Sequence, residues 1–208
     1  MPDARLVGPL DRPAGPTLHD RILAVLPLFR GWGYPDYKAT HTGFPSGVYG
    51  GPKPSDTGHA DCVSFTAGIV GHVYQLSLDP SGPHRRLLML HQEAAERSPW
   101  ATLDHLVSLG LATPSDPATE HGWHLCQSWK RLDRNGRFVA GQSTGHSWLA
   151  LRDSEGSLVL DSGRSTGGPT WRGVRPVGPG EVPQDRTGAV AWERMASWFE
   201  ETRAVRLL

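Results

Sequence analysis

With 208 residues, the chain is long enough to bury one sizeable hydrophobic core. Its 21 basic residues balance its 21 acidic ones with no run of either sign, which excludes the electrostatic footprint of a nucleic-acid or anionic-membrane binder and suits a neutral or small polar substrate. The opening MPDARLVGPLDRPAGP lacks the basic start and apolar core of a secretory signal, and no apolar run approaches the roughly 18 residues of a membrane span. The expectation is a protein that stays in the cytoplasm as synthesised, without membrane insertion, and leaves the cell only by a non-classical route or on lysis.

Residues 1–16 read as a flexible Pro/Gly-rich arm, and residues 17–208 as a single domain. Thr17 is a helix cap with Asp20 three residues on, and Ile22, Leu23, Val25, Leu26 and Phe29 give the apolar face that follows, limited by Pro27. Residues 30–60 carry Gly, Pro, Tyr and Trp without periodicity, a long loop of the kind that lines a site. It runs into Asp61-Cys62 and then a helix to about Gln75, so Cys62 stands at a helix start. There the unsatisfied backbone N–H groups and the positive end of the dipole favour an anion, which makes a thiolate more accessible. Asp61 reads as the cap of that helix.

Leu87, Leu88, Leu90, His91 and Ala94 predict a second helix over 84–97, and Ser98-Pro99 opens a third that ends at Gly110. The pattern then turns to strands over 123–132, 137–140, 146–152 and 158–161, with RDSEGS as the hairpin turn between the last two. Residues 162–188 are again Gly/Pro/Arg-rich. An amphipathic helix is expected over 189–199 and a closing strand over 202–208. The fold class expected is α+β, a helical half followed by a sheet-rich half.

A nucleophilic cysteine needs a base and a group to hold that base. His146 opens one strand of the hairpin and Asp161 ends the other, so antiparallel pairing brings them side by side. In that arrangement Asp161 takes the Nδ1 proton of His146 and Nε2 faces the sulfur. Other readings compete. Cys62 is a buried structural thiol in one, and a disulfide with Cys126 in another, although Cys126 in a predicted strand is most simply a packed core residue. The spacings His59-x-x-Cys62 and His121-x-x-His124, with His41 and His72, raise zinc, but no second tight cluster accompanies them. The favoured reading has no metal and no cofactor.

Tyr49-Gly50-Gly51, then Asp61-Cys62-Val63-Ser64-Phe65, then Gly145-His146 and a polar Asp161 on the next strand follow one another in this order. The sequence over roughly 48–162 thereby resembles the NlpC-type cell-wall peptidases of the papain-like cysteine peptidase superfamily. It departs from them at Val63-Ser64, where the family has Ser-Gly, and at Gly47, where the family has an upstream tyrosine. The resemblance implies a papain-like fold, with the cysteine helix packed on an antiparallel sheet that carries His and Asp. It implies a catalytic set of Cys62, His146 and Asp161, with Tyr49, Gly51, His59 and Trp148 on the substrate side. The activity implied is amide hydrolysis through a Cys62 thioester in peptidoglycan stem peptides or cross-links, as in a lysin or a wall-cutting effector, for which an inhibitor or immunity protein is a conceivable partner. Two alternatives keep the same residues: a protein glutamine deamidase or transglutaminase-like enzyme, and a papain-like binding module in which Cys62 is inert.

Overall fold

A computed structural model describes residues 15–29, 32–34, 60–78, 82–88, 98–133, 135–137, 145–154, 156–163, 168–170 and 192–208. The expected arm over 1–16 and the strand over 137–140 lie mostly outside these residues, as does most of the loop over 30–60.

Helix α1 spans Leu18–Val25. Its start is the box read from the sequence: Thr17 Oγ1 accepts the Asp20 N–H at 3.2 Å and Asp20 Oδ2 accepts the Thr17 N–H at 2.9 Å. At Leu26–Phe29 the chain tightens into a 3₁₀ turn that contains Pro27, and Leu26 and Phe29 stay in the core. Helix α2, Cys62–Tyr74, ends at Gln75, which takes a left-handed conformation with φ 55° and donates back to Gly71 and His72. Nearly every α2 side chain is buried, not only the Phe65, Ala67, Ile69 and Val70 face, because α1 packs against it on one side and the sheet on the other. Gly71 lets the chain fold back closely, since a Cβ there would sit 2.7 Å from the Leu78 side chain.

The helix expected over 84–97 is, in its described part, a 3₁₀ turn, Arg85–Leu88; residues 89–97 lie outside the described residues. Leu87 N–H reaches back three residues to His84, and the Arg86 carbonyl accepts the Thr102 hydroxyl of the following helix. That helix, α3, is Ala101–Ser108; the Ser98 hydroxyl accepts the Trp100 N–H just before it, and Gly110 follows with φ +69°.

Among the described residues six antiparallel strands make the sheet: β1 Ala112–Ser115, β2 Gly122–Arg131, β3 Gly145–Asp153, β4 Gly156–Gly163, β5 Gly168–Thr170 and β6 Phe199–Leu207, in spatial order β1-β6-β2-β3-β4-β5. The protein is therefore α+β, with, among the described residues, three helices before the sheet and one short helix, α4, Trp192–Ala196, inserted before β6. Strand β1 carries Pro114 in a segment that reads as loop. It is tolerated because, among the described residues, β1 is an edge strand paired with β6 alone. The C-terminal strand begins at Phe199, earlier than expected, and runs into the middle of the sheet between β1 and β2.

The core between helices and sheet gathers Ile22, Phe29, Phe65, Ile69, Leu106, Leu125, Leu149 and Leu160. A second cluster, Cys126, Trp148, Ala150, Val159, Met195 and Phe199, is built with α4. Residues of β3 thus alternate between two buried environments: Leu149 and Leu151 in the first, Trp148 and Ala150 in the second. No helix among the described residues is long and apolar enough to cross a membrane.

Candidate active site

Cys62 is the first residue of α2, and the turn beneath it is fixed by Asp61. The Asp61 side chain accepts the Ser64 N–H at 2.7 Å, and the Phe65 N–H closes on the Asp61 carbonyl at 2.9 Å. A buried carboxylate in this position satisfies one of the helix's end donors and stiffens the turn that carries the sulfur. Cys62 itself is 3% exposed, and both it and Cys126 are free thiols, which removes the disulfide reading.

The β3–β4 hairpin turns between Asp153 and Gly156, and its register pairs Leu149 with Leu160 and Ala150 with Val159. By alternation His146 and Asp161 fall on the set shared by Ala150 and Val159. The His146 Nε2 lies 3.1 Å from Asp161 Oδ2, with about one sixth of each side chain exposed. The imidazole also hydrogen-bonds Cys62. Because Asp161 occupies Nε2, the nitrogen left for the sulfur is Nδ1. The expected ring orientation is thus reversed, although the partners are the expected ones.

Burial by itself would push the His146 pKa down. The charge of Cys62, the hydrogen bond to Asp161, the hydrogen bond to Cys62 and the charge of Asp161 together outweigh it and raise it from 6.5 to about 10. The site therefore favours an imidazolium between two anionic neighbours. On the ring lies Phe199, parallel within 7° at a centroid separation of 5.9 Å. The sequence places Phe199 in a helix; in the fold it opens β6, which pairs with β2, the strand that also pairs with β3, and that placement brings its ring to His146.

Trp148, expected on the substrate side, is fully buried in the cluster under α4, where its Nε1–H donates to Ser128 Oγ at 3.0 Å. Its partner ring is Trp192, at 6.5 Å. Tyr49, Gly51 and His59 lie outside the described residues.

The metal spacing over 121–124 has a different use. His124 is buried, with Nε2 donating to the Glu120 carbonyl at 3.0 Å and Nδ1 accepting from Ser115 Oγ at 2.9 Å. Burial lowers its pKa, and its two nitrogens tie Ser115 at the end of β1 and Glu120 in the following turn to β2. Among the described residues no three His, Cys, Asp or Glu side chains converge as a metal site. Cys126 is also fully buried, and burial pushes its thiol well above the ordinary range, as befits a core residue.

Comparison with protein-family models, with curated proteins and with solved structures finds no match to this chain.

Proposed function

We propose that the protein is a cysteine hydrolase of papain-like architecture that cleaves an amide bond through a Cys62 thioester. The observation that carries this reading is the series Cys62, His146, Asp161: a cysteine at a helix start, bonded to an imidazole that a carboxylate holds and that the site charges.

In the resting state the thiol proton resides on His146, leaving a thiolate at Cys62. The sulfur attacks the amide carbon, and the negative charge that develops on oxygen is met by the backbone N–H of Cys62 in the first turn of α2. His146 Nδ1 gives its proton to the leaving nitrogen, the C–N bond breaks, and the amine departs. Water then loses a proton to His146 and attacks the thioester, releasing the acid and restoring the thiolate pair. Asp161 keeps the ring in one orientation throughout and offsets its positive charge. Phe199 covers one face of the imidazole and limits the routes by which water reaches it.

The substrate class proposed is the peptide portion of peptidoglycan, on the strength of the sequence resemblance. Incubation with purified peptidoglycan and mass analysis of the soluble products tests it. The expected result is peptide fragments bearing a new amine and a new acid terminus, absent with Cys62→Ala. Equal release by the variant would end the catalytic reading. Ammonia released from protein glutamine, without wall fragments, would move the same chemistry to a side-chain amide.

A further inference from the structure

Cys62 belongs to a helix and its two partners to a hairpin far away in sequence, so the attack geometry depends on what fixes α2 against β3 and β4. The residues that follow the two partners do this. Ser147, one residue after His146, lies 2.8 Å from Thr66 Oγ1. Thr66 is one turn into α2, and its hydroxyl is 2.9 Å from the Cys62 carbonyl and 3.2 Å from that of Val63. The two hydroxyls hydrogen-bond each other, with either able to donate, and the Thr66 hydroxyl is thereby linked both to the first turn of α2 and to β3. Ser162, one residue after Asp161, donates to the carbonyl of Ala60, two residues before Cys62. All three hydroxyls belong to buried side chains, where an interaction is little weakened by water.

We propose that Ser147, with Thr66, and Ser162 are positioning residues that set the Cys62 sulfur at its working distance from the His146–Asp161 pair. Strand alternation is what allows it: as His146 and Asp161 share one set of positions, the next residue on each strand belongs to the other set, which packs against α2. One strut grips the helix just after the nucleophile and the other grips the chain just before it. The inference rests on Cys62 being the nucleophile.

The test uses the full chain and reads the second-order rate of iodoacetamide alkylation at Cys62 near pH 6.5, the NMR titration midpoint of His146, and thermal stability. Each buried hydrogen bond contributes about 1 kcal/mol, so Ser147→Ala and Ser162→Ala are each expected to slow alkylation roughly 3- to 10-fold and the double variant more, with a downward shift of the His146 midpoint. Thr66→Val is expected to match Ser147→Ala, and Thr66→Ser, which keeps the hydroxyl, to restore the rate. Loss of stability with an unchanged rate and midpoint would make the hydroxyls merely structural and overturn the proposal. Should Ser147→Ala fail to fold, the Thr66→Val and Thr66→Ser pair decides the matter. His146→Ala separates the two levels: if it slows alkylation while the strut variants do not, only this inference fails; if alkylation ignores His146, the cysteine hydrolase reading fails with it.

Discussion

The charge state of His146 is the property on which the proposed chemistry turns, and it can be taken apart by substitution. Its titration at about 10 is the net of burial, which disfavours the imidazolium, against Cys62 and Asp161, which favour it, the charge of Cys62 being the largest of the favourable contributions. Two opposite charges about 4 Å apart in an effective dielectric of about 20 attract by ~4 kcal/mol, equivalent to ~3 pH units. With the imidazole only 15% exposed, solvent screening takes away little of that. Cys62→Ala should therefore bring the midpoint down by ~2 to 3 units, towards neutrality. Asp161→Asn keeps a hydrogen-bond partner of the same shape and loses only the charge, which lowers a charge-assisted bond by ~1 to 1.5 kcal/mol and the midpoint by ~1 unit. With both substitutions the two opposing charges are gone and only a neutral hydrogen bond stands against burial, so the midpoint should fall by ~3 to 4 units in all. The assay is the pH dependence of the imidazole carbon-bound proton and carbon shifts, assigned by loss of the signal in His146→Gln. A midpoint in Cys62→Ala within about half a unit of wild type would refute the thiolate–imidazolium pair and the acyl-transfer mechanism built on it.

Intact-mass analysis after brief alkylation near neutral pH should show a single adduct, at Cys62, because burial holds the Cys126 thiol up and out of reach until the chain unfolds. Asp61→Ala removes a buried cap and leaves the Ser64 N–H without its carboxylate, so a stability loss of ~1 to 2 kcal/mol is expected in urea denaturation, with slower alkylation as the first turn of α2 loosens. The His146 pKa is raised on folding from 6.5 to about 10, so its contribution to stability is fully present below about pH 6.5 and lost as pH rises through about 10. The stability gap between wild type and His146→Gln, followed by denaturation across that range, should accordingly narrow with rising pH; a gap that widens would contradict the assignment. Gly168→Ala should lower the melting temperature, since φ is +141° there and a Cβ would stand 2.5 Å from the Trp32 carbonyl oxygen.

Local chemistry was enough to specify several parts of this protein. Thr17 and Asp20 form a box whose donors and acceptors lie within one turn, Asp61 caps the helix that starts at Cys62, and the RDSEGS turn closes a hairpin that sets His146 beside Asp161. Each involves residues close in sequence, so backbone geometry alone narrows the outcome. Within 84–97 the described part is a 3₁₀ turn, Arg85–Leu88, and its Arg86 carbonyl accepts the hydroxyl of Thr102 in another helix, a contact that no local period encodes. Pro114 hid β1 because its tolerance depends on that strand's position at the sheet edge. The approach of α2 to the hairpin, the reversed ring of His146, the burial of Trp148 and the arrival of Phe199 all depend on contacts between segments far apart in the chain. Residue order proposes the three members of the site; packing of helix against sheet sets which nitrogen meets the sulfur, what covers the ring and what holds them in register, because those distances are fixed only when the whole core closes.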